Sequence, residues 1–338
     1  MTYRGRGQLL QRHPARVVAG VVAALALVLT LVACGGSTPT TNVVTGTWSA
    51  AVHPEPSGQA ATAIYGASCP TSTFCAAVDG GGNALEWNGT TWSAPASATP
   101  DGAFNSVSCS SPTFCVALSS QEAVTFDGHT WSAPVAVGPA PSGPTGGQYQ
   151  VSCVSSTFCV SVNTAGVVSV WDGTSWGHDA VVDQGTAAKP VQNISCATPQ
   201  FCVVVSATGN IATYNGRAWA RQASPGQSLL HSVSCPTPTF CMAADLTGHA
   251  LVFDGSSWKA ALPLSDAGAL TYSVSCPSAS ICMVARSDGS VVTWHSGVWE
   301  PAVPVLHDGM LSAAEISCAS TTFCALVSSA GSAATFRG

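Results

Sequence analysis

The chain has 338 residues, of which only 8% are charged, and it sets ten Lys and Arg against sixteen Asp and Glu. Four of those arginines (Arg4, Arg6, Arg12 and Arg16) lie before residue 17, so the remainder is distinctly acidic. A phosphate backbone needs a basic face, so no nucleic-acid partner is expected, and no stretch sustains the 3.6-residue apolar period of long amphipathic helices.

Residues 1–16 are basic, and Val17 to Ala33 are apolar or small, ending in Leu31-Val32-Ala33-Cys34. That order is a secretory signal. Its apolar run of 17 residues falls short of the about 20 that a membrane-spanning helix needs. The Leu-Val-Ala-Cys end resembles the bacterial lipobox, whose cysteine is lipidated and becomes the mature N-terminus. The resemblance implies a signal peptide over residues 1–33, lipidation of Cys34 and a lipid anchor to the outer face of the cell membrane. An uncleaved signal anchor and simple secretion are the alternatives. Residues 34–42 then hold the lipidated cysteine and a tether, since Gly35 to Asn42 offers no apolar side chain to bury.

From residue 43 to 338 the chain repeats. A Cys-x5-Cys unit occurs as Cys69/Cys75, Cys109/Cys115, Cys153/Cys159, Cys196/Cys202, Cys235/Cys241, Cys276/Cys282 and Cys318/Cys324, with first cysteines 39–44 residues apart. A period near forty signals a repeat architecture. Each unit reads as four strands: an apolar run ending in Ser-Cys, a second beginning at Phe-Cys, a third running into an aromatic residue, and a fourth opening with tryptophan. The third and fourth are joined by an aromatic-x4-Trp hairpin, as in Trp87 to Trp92 or Trp171 to Trp176, with Asn-Gly or Asp-Gly in five of six turns. Those pairs tolerate the positive φ of tight hairpins.

Four short antiparallel strands per unit are the pattern of a β-propeller blade, so the expected fold is all-β with seven blades and one disulfide per blade. The seventh unit lacks its tryptophan strand, and Val43 to Ala50 supply one. The N-terminal strand is therefore expected to complete the last blade, which resembles the ring closure of WD-repeat propellers, although that family's Trp-Asp and Gly-His signatures do not recur from unit to unit. The units also resemble the Ser-Cys-Pro-x4-Cys repeats of exported propeller-type lipoproteins of actinobacteria. That resemblance covers residues 43–338 and implies a fold but no activity.

Two readings of the cysteines compete. Zinc sites want Cys-x2–4-Cys pairs gathered in fours, whereas ring geometry keeps these pairs apart. The disulfide reading has each pair closing its own loop, with a chain-entropy gain of about 2–2.5 kcal/mol per loop in an oxidising compartment. Cys34 is the odd cysteine, which lipidation explains.

No catalytic motif is present. Histidines show no His-x3-His or His-Glu-x2-His spacing, and there is no Gly-x-Ser-x-Gly elbow or phosphate-binding glycine loop. The sialidase Asp-box has one partial echo, Ser287 to Trp294. No catalytic residue, metal or cofactor is expected. The candidate site is a ligand-facing ring four residues before each first cysteine: Tyr65, Asn105, Tyr149, Gln192, His231 and Tyr272, with Ala314 in the seventh unit. Two residues later stand apolar side chains only, Ala67 to Ile316, on what reads as the same strand face. The alternative assigns the ring to blade packing. The leading expectation is a monomeric, non-catalytic, surface-anchored propeller that binds a protein, peptide or glycan. The second is a lyase or glycan hydrolase at the channel mouth, built on His231 with a neighbouring tyrosine or carboxylate.

Overall fold

The computed structural model describes residues 45–338 except 57, 100–101, 139–148, 185–188, 227–228, 260–261 and 265–267, and describes only the backbone at 149, 178 and 179. The signal, the tether and Cys34 therefore lie outside the described residues, as does the Tyr149 side chain.

The described chain forms seven antiparallel sheets, each starting from one Cys-x5-Cys unit. First strands run Ile64–Thr71, Ser106–Ser111, Tyr149–Ser155, Val191–Thr198, Leu230–Thr237, Thr271–Ser278 and Ala314–Ser320. They line the axis, each against the first strands of its neighbours, with Ile64–Thr71 closing onto Ala314–Ser320. Second strands such as Phe74–Asp79 and Phe323–Ser328 are apolar up to a polar last residue, because blades cover both of their faces. The core is a set of clusters lying between successive blades, as where Ala76 and Val78 of one blade meet Val107, Ala117 and Val124 of the next.

The seven disulfides form as expected, each within its own unit: Cys69–Cys75, Cys109–Cys115, Cys153–Cys159, Cys196–Cys202, Cys235–Cys241, Cys276–Cys282 and Cys318–Cys324, with Cα atoms 3.9–4.1 Å apart. Spacing alone did not reveal that the two cysteines of a pair are placed unequally. The second member, at the start of the second strand, is completely buried in every blade: Cys75, Cys115, Cys159, Cys202, Cys241, Cys282 and Cys324 are all at 0% exposure. The second strand is covered on both faces, whereas the first borders the channel. These seven cysteines are thus core residues of the blade interfaces as well as cross-links, as Cys202 is beside Val160 and Ile194.

Between blades the serine of the Ser-Cys pair does a second job. Ser68 Oγ accepts the N–H of Cys109, Ser108 that of Cys153, Ser152 that of Cys196, and so on to Ser275 and Cys318. Ser317 then accepts from Cys69 and completes the circle. Inner-strand N–H groups that face a neighbouring blade thus find acceptors there, each bond contributing about 1 kcal/mol.

The last blade closes as expected. Thr47–Trp48 pairs antiparallel with Ala333–Arg337, placing Thr47 opposite Arg337 and Trp48 opposite Phe336. Their rings lie 5.6 Å apart, like the Trp87–Trp92 pair at 5.8 Å and Phe126–Trp131 at 5.1 Å. Arg337 then lies over the rings of Trp87 and Phe323 and donates to Gly89 O in the first blade.

Two local features differ from expectation. In the five Asn-Gly and Asp-Gly turns only the glycine takes positive φ, 88–99°. The Asn or Asp instead accepts with its side chain, as Asn88 Oδ1 does from the N–H groups of Thr90 and Thr91. The sixth turn lacks that acceptor, and there Ser296 itself goes to φ 48° ahead of Gly297 at 99°. Second, the outer strand starts at the tryptophan only in the third and fourth blades, Trp176–Val181 and Trp219–Ala223. In the first and second blades Trp92 and Trp131 make single bridges, and the strand resumes as Ala96–Ser97 and Val135–Ala136. Pro95 and Pro134 explain the break, since proline brings no N–H to the ladder.

Candidate functional site

Strand direction puts the disulfide turns and the tryptophan hairpins at one end of every blade, and the starts of the first strands at the other. At that second end the channel opens into a cavity of about 460 Å³. Five of the six expected residues line it: Tyr65, Asn105, Gln192, His231 and Tyr272. Tyr65 is 41% exposed, and the other four are half-buried. No cysteine lines it, so the disulfides hold the opposite end of each blade and take no part in the cavity.

A backbone irregularity helps to aim them. In the first, fourth, fifth and sixth blades the inner strand skips one register step where Tyr65, Gln192, His231 and Tyr272 stand. Each is the extra residue of a β-bulge, a device that re-aims side chains at the rims of sheets. Strict alternation from the cysteine is therefore broken at this position, and the single-face reading of Tyr65 with Ala67 does not hold in those blades.

Sequence reasoning missed the adjacent position, three residues before the cysteine. There Ser106, Ser232 and Ser273 accept inter-blade N–H groups from Val151, Val274 and Ile316. The first unit has Gly66 there, and in the remaining three longer side chains at this position reach the cavity: Gln150, Asn193 and Glu315. The signal was present as a small residue, Gly or Ser, in four units and a longer polar one in three.

Glu315 is the one carboxyl that lines the cavity among the described residues, and no Lys or Arg joins it there. Burial pushes its pKa up to about 8, opposed by a hydrogen bond with Ser273. His231 moves the other way: burial holds its imidazole below the ordinary histidine range, only partly offset by its bond to a backbone carbonyl. That bond joins His231 Nδ1 to Tyr272 O at 2.7 Å. A carbonyl oxygen can only accept, so Nδ1 carries the proton, and in the neutral ring Nε2 keeps its lone pair. Tyr272 in turn donates its hydroxyl to Leu311 O at 3.2 Å, and burial raises its pKa further. At neutral pH the cavity therefore holds a neutral imidazole and a protonated carboxyl.

The chain is similar in fold to YCF48. A structure described as YCF48 bound to D1 peptide superposes with a TM-score of 0.66 at 16% identity, covering 86% of this chain and 97% of that one. YCF48 from Cyanidioschyzon merolae gives 0.64 at 13%, covering 86% and 99%. At such identities the likeness is one of fold. No protein-family model and no curated sequence matches the chain.

A larger cleft, about 620 Å³, opens between the outer strands of the last and first blades, beside Trp48, Trp92 and Arg337. Arg337 is already engaged there by Gly89 O and two rings, so this cleft reads as the closure seam. Among the described residues no group of three or more His, Cys, Asp or Glu gathers as metal ligands do. The turn aspartates are explained locally. Asp172 is pulled down to about 2 by Thr174 and Ser175, which bond to its carboxylate within the hairpin turn.

Proposed function

We propose that this protein is a non-catalytic binding propeller, exported and anchored through Cys34, that takes a peptide segment at the channel mouth. The observation that carries the reading is the convergence of Tyr65, Asn105, Gln192, His231 and Tyr272 on one cavity. Aromatic faces beside amide groups suit a peptide, which presents flat apolar surface edged by hydrogen-bonding groups. The YCF48 structure of similar fold supports a peptide over a glycan, since it is described as bound to the D1 peptide. Screening a displayed peptide library against the chain and against its Tyr65→Ala/Tyr272→Ala variant tests this. Enrichment should be lost in the variant, and equal enrichment on both would reject the channel mouth. Anchoring is tested separately: Cys34→Ala should release the chain from membranes with the propeller folded.

A second reading has one observation in its favour. His231 and Glu315 line the same cavity with their proton affinities pushed apart, which is the arrangement of a base beside an acid. Among the described residues the cavity has one carboxyl, whereas glycoside hydrolysis ordinarily uses a pair. A base beside an acid suits proton abstraction with elimination. Release of unsaturated uronate from acidic polysaccharides, abolished by His231→Gln, is the result that would favour it over binding.

A further inference from the structure

Glu315 lines the channel mouth, and among the described residues no Lys or Arg lines it as a counter-ion. Its hydrogen-bonding partner among the described residues is Ser273, and the other titratable groups of the cavity are Tyr65, Tyr272 and His231, of which burial keeps the His231 imidazole neutral and raises the pKa of the Tyr272 hydroxyl. A carboxyl removed from water with no cation beside it is destabilising in its charged form. That cost is offset when a ligand carries the opposite charge in. The cavity that Glu315 lines offers what an organic cation needs: the rings of Tyr65 and Tyr272, aromatic groups whose quadrupoles attract positive charge, and the amide groups of Asn105, Gln150 and Gln192.

Building on the peptide-binding reading above, we propose that the channel mouth recognises a primary ammonium group of its peptide, with Glu315 as the counter-ion. Ser273 already occupies part of the carboxyl's hydrogen-bonding capacity, which favours the compact ammonium over a two-pronged guanidinium. The ammonium can come from a lysine side chain or from the peptide's own amino terminus. In either case binding ionises Glu315: the carboxyl's proton leaves to solvent and the cation takes its place.

Calorimetry on the purified full chain with three pentapeptides tests this. One is blocked at both ends with a central lysine, one is blocked with a central glutamine, and one is the glutamine peptide with a free amino terminus. Measured at pH 7 in buffers of different ionisation enthalpy, binding of an ammonium-bearing peptide should release about nine-tenths of a proton, as follows for a carboxyl near 8. It should also bind at least about tenfold tighter than the blocked glutamine peptide at pH 8. If lysine is the source, affinity rises about fifty-fold from pH 6 to pH 8 and then levels off. If the amino terminus is the source, affinity passes through a maximum, because that amine itself loses its proton near pH 8. Glu315→Gln should erase both the proton release and the preference, leaving the blocked glutamine peptide unaffected. Should that variant not fold, proton release from the unmodified chain decides alone. Equal affinity for all three peptides, still lost in Tyr272→Ala, overturns the counter-ion and leaves the peptide reading standing. No binding of any of the three overturns both.

Discussion

The hydroxyl of Ser317 in the last blade accepts the backbone N–H of Cys69 in the first at 2.9 Å. It is the same bond that Ser195 makes to Cys235 at 3.0 Å in mid-ring, so closure uses the contact that every other blade interface uses. The two differ in sequence separation, 248 residues against 40, and so in the chain entropy lost before they form.

Ser317→Ala should therefore cost about 1–2 kcal/mol, the penalty of leaving a part-buried N–H without its acceptor. Ser195→Ala should cost nearly the same. Chemical denaturation of both variants checks this, and a much smaller cost at Ser317 would mean that the ring is open in solution.

Removing the closing strand should be more damaging. Trp48 packs on Phe336 and belongs to the cluster that includes Leu326 and Ala334. Trp48→Ala should destabilise by about 2–3 kcal/mol, below the full cost of a buried tryptophan because the ring is half-buried. Deleting residues 43–50 should lower the melting temperature far more than deleting residues 35–42.

Replacing Cys109 and Cys115 together by serine should cost about 2 kcal/mol through the loop that their bond closes. The buried position of Cys115 adds to that figure, since a serine hydroxyl there would need a hydrogen-bond partner. Non-reducing peptide mapping should recover seven within-unit pairs. A bridge between units would contradict the fold.

At the channel mouth, Glu315 gives stability a defined pH dependence. Its folded pKa near 8 lies above the ordinary 4.5, so between those values the folded chain holds a proton that the unfolded chain has lost. The contribution of this group is present below about pH 4.5 and is lost as pH rises towards 8. One such group contributes a slope of at most about 1.4 kcal/mol per pH unit. Melting curves across pH 5–8 should flatten in Glu315→Gln; an unchanged slope would show that the carboxyl titrates normally.

Tyr272→Phe separates packing from recognition. It removes the hydroxyl bond to Leu311 O but keeps the ring against His231, 5.8 Å between centroids. Stability should fall by about 1 kcal/mol. Peptide binding should survive in this variant and be lost in Tyr272→Ala, with both read by the same calorimetry.

Whatever a short-range pattern encodes was legible in the order of residues. Cys-x5-Cys pairs, apolar runs and aromatic-x4-Trp hairpins are local, and their forty-residue recurrence makes blade number and disulfide pairing arithmetic. Even the closing strand could be read, because Trp48 supplies the one tryptophan that the seventh unit lacks. The ring Tyr65, Asn105, Gln192, His231 and Tyr272 followed from position in the repeat. The remaining features depend on how the blades meet. The Ser-Cys serine is a blade-to-blade acceptor because the neighbouring N–H comes from a unit some forty residues away. Cys75 and its six counterparts are fully buried because the next blade covers the second strand. The bulges at Tyr65 and His231 are backbone irregularities that no side-chain alternation announces. Glu315 escaped notice because it stands one residue past the ring position, where its unit carries Ala314, and its character is set by burial at the channel mouth. Desolvation depends on every atom nearby, whatever its place in the chain, so it becomes readable only once the ring has closed.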